Sequence, residues 1–174
     1  MRAEREQRGV VDEAAGRDHW QRGLGNRDLR CGFLLGRRTV IAYTDGAEHA
    51  ARTAATRAVV TEFARLFYTE RDVRGAFETF VAPGYIQHNP GIADGRDAAV
   101  AALAPKFADP DFHADLQRVL ADSDYGVIHL HGYRTSERGG AVVDLYRVAD
   151  GKIAEHWDVI QPIPETARND HPLL

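Results

Sequence analysis

Past Ala50 the apolar positions follow two different periods. Val59, Phe63, Leu66 and Phe67 recur at helical spacing and predict an amphipathic helix over about 50–69. Val73, Phe77 and Phe80 repeat the signal in a second, shorter helix that ends before Pro83-Gly84. Tyr85-Ile86-Gln87 reads as a short extended piece, turned by Asn89-Pro90-Gly91. A third helix is expected from about Gly95 to Ala104, with Asp94 as N-cap and Pro105 ending or kinking it. Beyond that point the period drops to two. Phe112 to Ala121, Tyr125 to Tyr133, Ala141 to Val148 and Ile153 to Ile160 are rich in branched and aromatic residues. Asp122-Ser-Asp, Ser136-Glu-Arg-Gly-Gly and Asp150-Gly151 supply turns between them. Short gaps imply antiparallel hairpins, and helices followed by a meander make an α+β order with helices covering one sheet face.

Alternation assigns faces within each strand. Val127, His129, His131 and Tyr133 share one side, opposite Ile128 and Leu130. Val142, Asp144, Tyr146 and Val148 share another, and His156, Asp158 and Ile160 oppose Glu155, Trp157 and Val159. How the last strand meets its neighbour depends on the Asp150-Gly151 turn. A strict two-residue turn pairs Ala149 with Lys152 and sets Asp144 across from Trp157. A three-residue loop pairs Val148 with Lys152 and sets Asp144 across from His156, diagonal to Asp158. The second register gathers two histidines and two carboxylates on one face; the first scatters them. A face bearing His129, His131, Asp144, His156 and Asp158 is too costly to desolvate as a dry core, so it meets solvent or lines a polar cavity. Taken singly, a strand histidine is usually a hydrogen-bonded structural residue. The group together points to a functional pocket.

From Met1 to about Ala50 the chain is dense in Arg, Gly and acidic residues with no period maintained beyond a short Val40–Tyr43 run. This stretch is expected to be a disordered extension, or an arm docked on a partner subunit through Trp20, Phe33 and Leu34, so the domain is placed at 51–174. The formal net charge of −4 gives no general reason to bind nucleic acid or an anionic membrane. No segment reaches the length of a membrane span. Cys31 is the single cysteine, which excludes an intrachain disulfide and a Zn-thiolate site and favours a cytoplasmic setting. Trp157 is expected to pack, Arg147 to make a surface pair, and Pro162 to Leu174 to form no helix.

Tyr85-Ile-Gln-His-Asn-Pro90, Asp94-Gly95, Ala141-Val-Val-Asp-Leu-Tyr-Arg-Val148 and Gly151-Lys-Ile-Ala-Glu-His-Trp-Asp158 together resemble the SnoaL-like proteins of the NTF2-like superfamily. Among these the chain is most similar to predicted aldol-condensation-catalysing enzymes, over roughly residues 55–174. The resemblance implies a cone-shaped α+β barrel, three helices in the concavity of a strongly curved antiparallel sheet, and often a homodimer. It further implies that the aspartate matching Asp158 is the general acid/base of an aldol-type ring closure, with no metal or organic cofactor. This chain has Asp144 where those cyclases commonly carry histidine, and His129 is the candidate to supply the imidazole.

The chemistry has its own logic. Removing a proton from carbon beside a carbonyl needs a base tuned to the task, and an apolar pocket with a second carboxylate tunes one. A neutral histidine or protonated acid can hydrogen-bond the forming enolate oxygen. Asp158 is therefore cast as base, Asp144 and His129 as shuttle or enolate partners, and His88 as a further polar contact. His131, Tyr146, Tyr85 and His156 are expected to bind or shape a small-molecule substrate. Two other readings use the same residues. One is a non-catalytic ligand-binding or dimerisation module, whose carboxylates would be tied up in structural hydrogen bonds. The other is a hydrolase or dehydratase. A metal set of His129, His131, Asp144 and His88 is a minor alternative.

Overall fold

The computed structural model describes residues 46–174. The reading of the N-terminal extension, with Trp20, Cys31, Phe33 and Leu34, lies outside the described residues. Helix α1 (Gly46–Ala64) begins four residues before the expected start and runs into a π-helical turn, Arg65–Thr69, closed by Glu70 N–H donating to Arg65 O at 2.9 Å. Thr56, Val60, Phe63 and Ala64 form its buried stripe, and the π turn buries Phe67 and Tyr68 side by side. Helix α2 (Val73–Phe80) is capped by the Asp72 carboxylate, which accepts the Gly75 N–H at 2.9 Å.

Strand β1 (Val81–Gln87) is longer than the extended piece expected from sequence. Helix α3 (Arg96–Ala108) departs from expectation at both ends. Its N-cap is Gly95, at φ 98°, while Asp94 turns its Oδ1 to the Gln87 N–H at 2.8 Å. Pro105 lies inside the helix, which continues to Ala108. Ala101, whose carbonyl the proline cannot serve, is exposed, so water can take the bond.

Strands β2 (Phe112–Asp122), β3 (Tyr125–Arg134), β4 (Gly140–Ala149) and β5 (Lys152–Pro162) form the expected antiparallel meander. Strand β1 adds to the far edge, parallel to β5, giving the order β1-β5-β4-β3-β2 and a mixed sheet. The helices cover one face, where Val60, Phe63, Phe67, Phe77, Ile128 and Ile153 are among the core residues. Gly126 in β3 lets α1 approach closely, since a Cβ there would lie 2.6 Å from Val60 Cγ2. Trp157 packs, half-buried, beneath the His88 ring, and Arg147 pairs with Glu155. No helix among the described residues is long and apolar enough to cross a membrane.

Candidate active site

The helices and the inner sheet face enclose a cavity of about 190 Å³. A 150 Å³ apolar cavity is known to hold benzene, so this one takes a ligand somewhat larger than a six-membered ring. Phe67, Phe77, Phe107, Phe112, Leu130 and Val142 make much of its wall apolar. Tyr68, Tyr85, Gln87, Asn89, Lys106, Asp144, Tyr146, His156 and Asp158 supply its polar groups.

A β-bulge determines which residues of β5 enter. The Asp150-Gly151 turn is the strict two-residue form, pairing Ala149 with Lys152 and Val148 with Ile153. Arg147 then pairs with Glu155, so β5 carries one extra residue, Ala154, at this point. Neither register expected from sequence is therefore the observed one. Beyond the bulge Tyr146 faces His156 and Asp144 faces Asp158. Without the extra residue, the alternation set by buried Ile153 would turn Glu155 and Trp157 inward.

The hydrogen bonds around His156 fix where protons sit. The Asn89 backbone N–H donates to Gln87 Oε1 at 2.9 Å, and Gln87 Nε2 donates to Tyr85 Oη at 3.1 Å, which orients the Gln87 amide. His156 Nδ1 lies 2.9 Å from that same Oε1. A carbonyl oxygen only accepts, so Nδ1 carries a hydrogen. His156 Nε2 lies 3.0 Å from Asp144 Oδ1, and Tyr68 donates to Asp144 Oδ2 at 2.5 Å. The contact between Nε2 and Oδ1 needs one proton, whichever group holds it, so Asp144 and His156 are neutral as a pair. Because the Tyr68 hydrogen is committed to Asp144, Tyr146 donates to Tyr68 Oη across their 2.8 Å contact.

Asp158 is held differently. Asn89 Nδ2 donates to Asp158 Oδ2, and the Asn89 amide is oriented by Gly91 N–H, which donates to its Oδ1 at 2.7 Å. The other oxygen of Asp158 accepts no hydrogen bond among the described residues. Asp144, His156 and Asp158 each place a donor atom within 4.8 Å of the others, a set of metal-ligand type whose Asp144 and His156 atoms are turned on one another. Burial, followed by the Asp144 carboxylate, pushes the Tyr68 and Tyr146 hydroxyls well above the ordinary tyrosine value. Tyr85 is raised by burial first, then by Asp144 and Asp158. Lys106 is lowered, chiefly by burial and also by Arg134, against the pull of both aspartates.

Of the residues expected at the site, Asp144, Asp158, His156, Tyr85 and Tyr146 line this cavity. His129, His131 and His88 are not brought to it. Ile128, not His129, stands opposite Asp144, so His129 and His131 share the outer face. There His129 Nδ1 meets Arg118 at 2.8 Å and His131 Nε2 meets the Arg138 carbonyl at 2.7 Å. His88 stacks on Trp157 at 4.5 Å with Glu155 beside it, also on the outer side. The metal set that joined these three histidines to Asp144 is thereby dispersed over two faces. Tyr68, Gln87, Asn89 and Lys106 were not anticipated. For two of them a signal existed: in Tyr85-Ile-Gln-His-Asn89, alternation puts Gln87 and Asn89 with Tyr85, and His88 with Ile86.

Residues 60–156 match the model of the SnoaL-like domain family. No curated protein matches the chain. Among solved structures, an NTF2-like protein of unknown function from Mesorhizobium loti is 22% identical with a TM-score of 0.56, covering 63% of this chain and 93% of its own. A Kribbella flavida protein assigned provisionally as a ketosteroid isomerase is 18% identical with a TM-score of 0.55, over 70% of this chain and 89% of its own. A SnoaL-like protein of unknown function from Burkholderia thailandensis is 18% identical with a TM-score of 0.50, over 63% of this chain and 98% of its own. At these identities the likeness is one of fold: NTF2-like α+β, three helices on a sheet that curls without closing.

Proposed function

The chain belongs to the SnoaL-like domain family, and from that premise we propose that it is an acid/base enzyme acting on a small carbonyl-bearing substrate, with Asp158 as the general base. The observation that carries this reading is the contrast between the two aspartates. Asp144 has both oxygens engaged, by Tyr68 and His156, and shares a proton with the histidine. Asp158, which lines the largely apolar cavity, has one oxygen fixed by Asn89 and the other without a hydrogen bond among the described residues.

In the proposed step, the open oxygen of Asp158 takes the proton from carbon adjacent to the substrate carbonyl. The Tyr85 hydroxyl accepts from Gln87, and its own hydrogen has no acceptor among the described residues. It is the donor proposed to receive the enolate oxygen. Burial keeps that hydroxyl protonated at neutral pH, as an oxyanion partner requires. The enolate then attacks a second carbonyl (aldol type) or is reprotonated by Asp158 at another carbon (isomerase type). His156, Asp144, Tyr68 and Tyr146 are positioning residues that hold the cavity wall and keep Gln87 in line.

A non-catalytic binding module would have its carboxylates tied up. Asp144 meets that description and supports this second reading, whereas Asp158 does not meet it. Turnover of a panel of small ketones and diketones by the purified protein separates the two. The acid/base reading expects activity that Asp158→Asn lowers at least about 100-fold with ligand binding retained. Undiminished turnover in that variant would sink the assignment of the base.

A further inference from the structure

Lys106 is the cation among the residues lining the cavity, and the acid/base chemistry above leaves it unused. It sits in the last turn of α3, and the residue is exposed. Its ammonium tips over the Phe112 ring, 4.5 Å from the centroid, and makes no hydrogen bond or ion pair among the described residues. Nearby Arg134 is already neutralised by Asp109, at 2.5 Å. The cavity lining therefore holds both the Asp158 carboxylate and an ammonium with no hydrogen-bond or ion-pair partner among the described residues.

We infer that Lys106 anchors a carboxylate on the substrate, so that the ligand class is a small oxo acid, its carboxylate on Lys106 and its carbonyl at Tyr85 and Asp158. An ammonium lying over a ring with no protein acceptor can take a carboxylate in charge-assisted hydrogen bonds. The charge count favours a monoanion. Asp144 and His156 are neutral as a pair and Arg134 is spent on Asp109, so Lys106 is balanced only by the Asp158 carboxylate; a monoanion then leaves the lining one net negative charge, and a phosphate dianion would leave two. Cavity size agrees, because about 190 Å³ is room enough for a short oxo acid. The placement of the carbonyl rests on the acid/base reading; the placement of the carboxylate rests on Lys106 alone.

The test uses benzoate and benzamide, probes of equal size that differ in charge, with calorimetric titration of the full chain. Wild type is expected to bind benzoate about tenfold more tightly than benzamide. Lys106→Met should abolish that preference and leave benzamide affinity unchanged, while Lys106→Arg, which keeps the charge, retains it. Asp158→Asn should bind benzoate at least as well as wild type, because it removes a neighbouring negative charge. Loss of turnover in that variant with benzoate preference intact keeps both proposals. Preference intact with turnover undiminished removes only the acid/base reading. No measurable benzoate binding, an equal or better affinity for benzamide, or a preference that survives in Lys106→Met overturns the carboxylate anchor.

Discussion

At the residue scale the site is organised by Gln87, whose one amide receives Asn89 N–H and His156 Nδ1–H and donates to Tyr85. Gln87→Leu removes the acceptor for two donors, one on a buried ring, and should cost about 1–3 kcal/mol in urea unfolding. The tyrosines carry a pH signature. Tyr68, Tyr85 and Tyr146, three of the six in the chain, are held protonated by burial beside the aspartates. Between pH 10 and their folded values the unfolded chain has released protons that the folded chain keeps. Stability should therefore be intact below pH 10 and fall as the pH rises past it. Tyrosinate absorbance should show these three ionising only as the protein unfolds, and full ionisation of all six in the folded state would contradict their placement. At this scale the sequence was partly legible. Asp144, His156 and Asp158 announce themselves because charged groups on apolar strands must be accounted for. Gln87, Asn89 and Tyr68 do not, since a neutral amide or a tyrosine tip is ordinary in a loop or a core until its partner is known.

At the scale of elements, one extra residue decides the chemistry. Ala154 in the β4–β5 bulge turns His156 and Asp158 toward the helices. Deleting Ala154 should restore a regular ladder, push Glu155 and Trp157 against the cavity, and abolish activity. Retained activity in that deletion would show that the bulge does not set the face. Within β3, β4 and β5 apolar alternation separated the two faces, but the reading that joined His129 and His131 to the face of Asp144 is not the observed one. Alternation could not read the bulge, which no residue type marks here, nor the offset between strands that sets Ile128 rather than His129 beside Asp144. The parallel pairing of β1 with β5 was equally hidden, being a contact between segments more than sixty residues apart. A second junction holds the cavity's other wall. Arg71, at φ 61°, donates to the carbonyls of Phe107 and Asp109 at the end of α3 and of Phe112 at the start of β2. Arg71→Met strips three acceptors of a charged donor and should cost about 2–3 kcal/mol in thermal or urea unfolding. A shift below about half of that would mean that water replaces the clamp.

Across the described residues the helices pack on one face of the sheet, with β1 running between α2 and α3, and the cavity is the space left between the π turn, α3 and the inner strand face. Most of that architecture was legible early, because the change of hydrophobic period near Phe112 marks where the four-strand meander begins; the place of β1 in the sheet was not. The architecture's central consequence is that, among the described residues lining the cavity, Asp158 keeps a carboxylate oxygen without a hydrogen bond beside a neutral aspartate–histidine pair. The most direct test is deuterium wash-in from D2O at the carbon next to the carbonyl of cyclohexanone, a probe that fits the cavity, followed by NMR for wild type and Asp158→Asn. The account predicts exchange catalysed by wild type and lowered at least about 100-fold in the variant. Exchange no faster than buffer alone in wild type, or equal rates in the two proteins, would contradict Asp158 as the base.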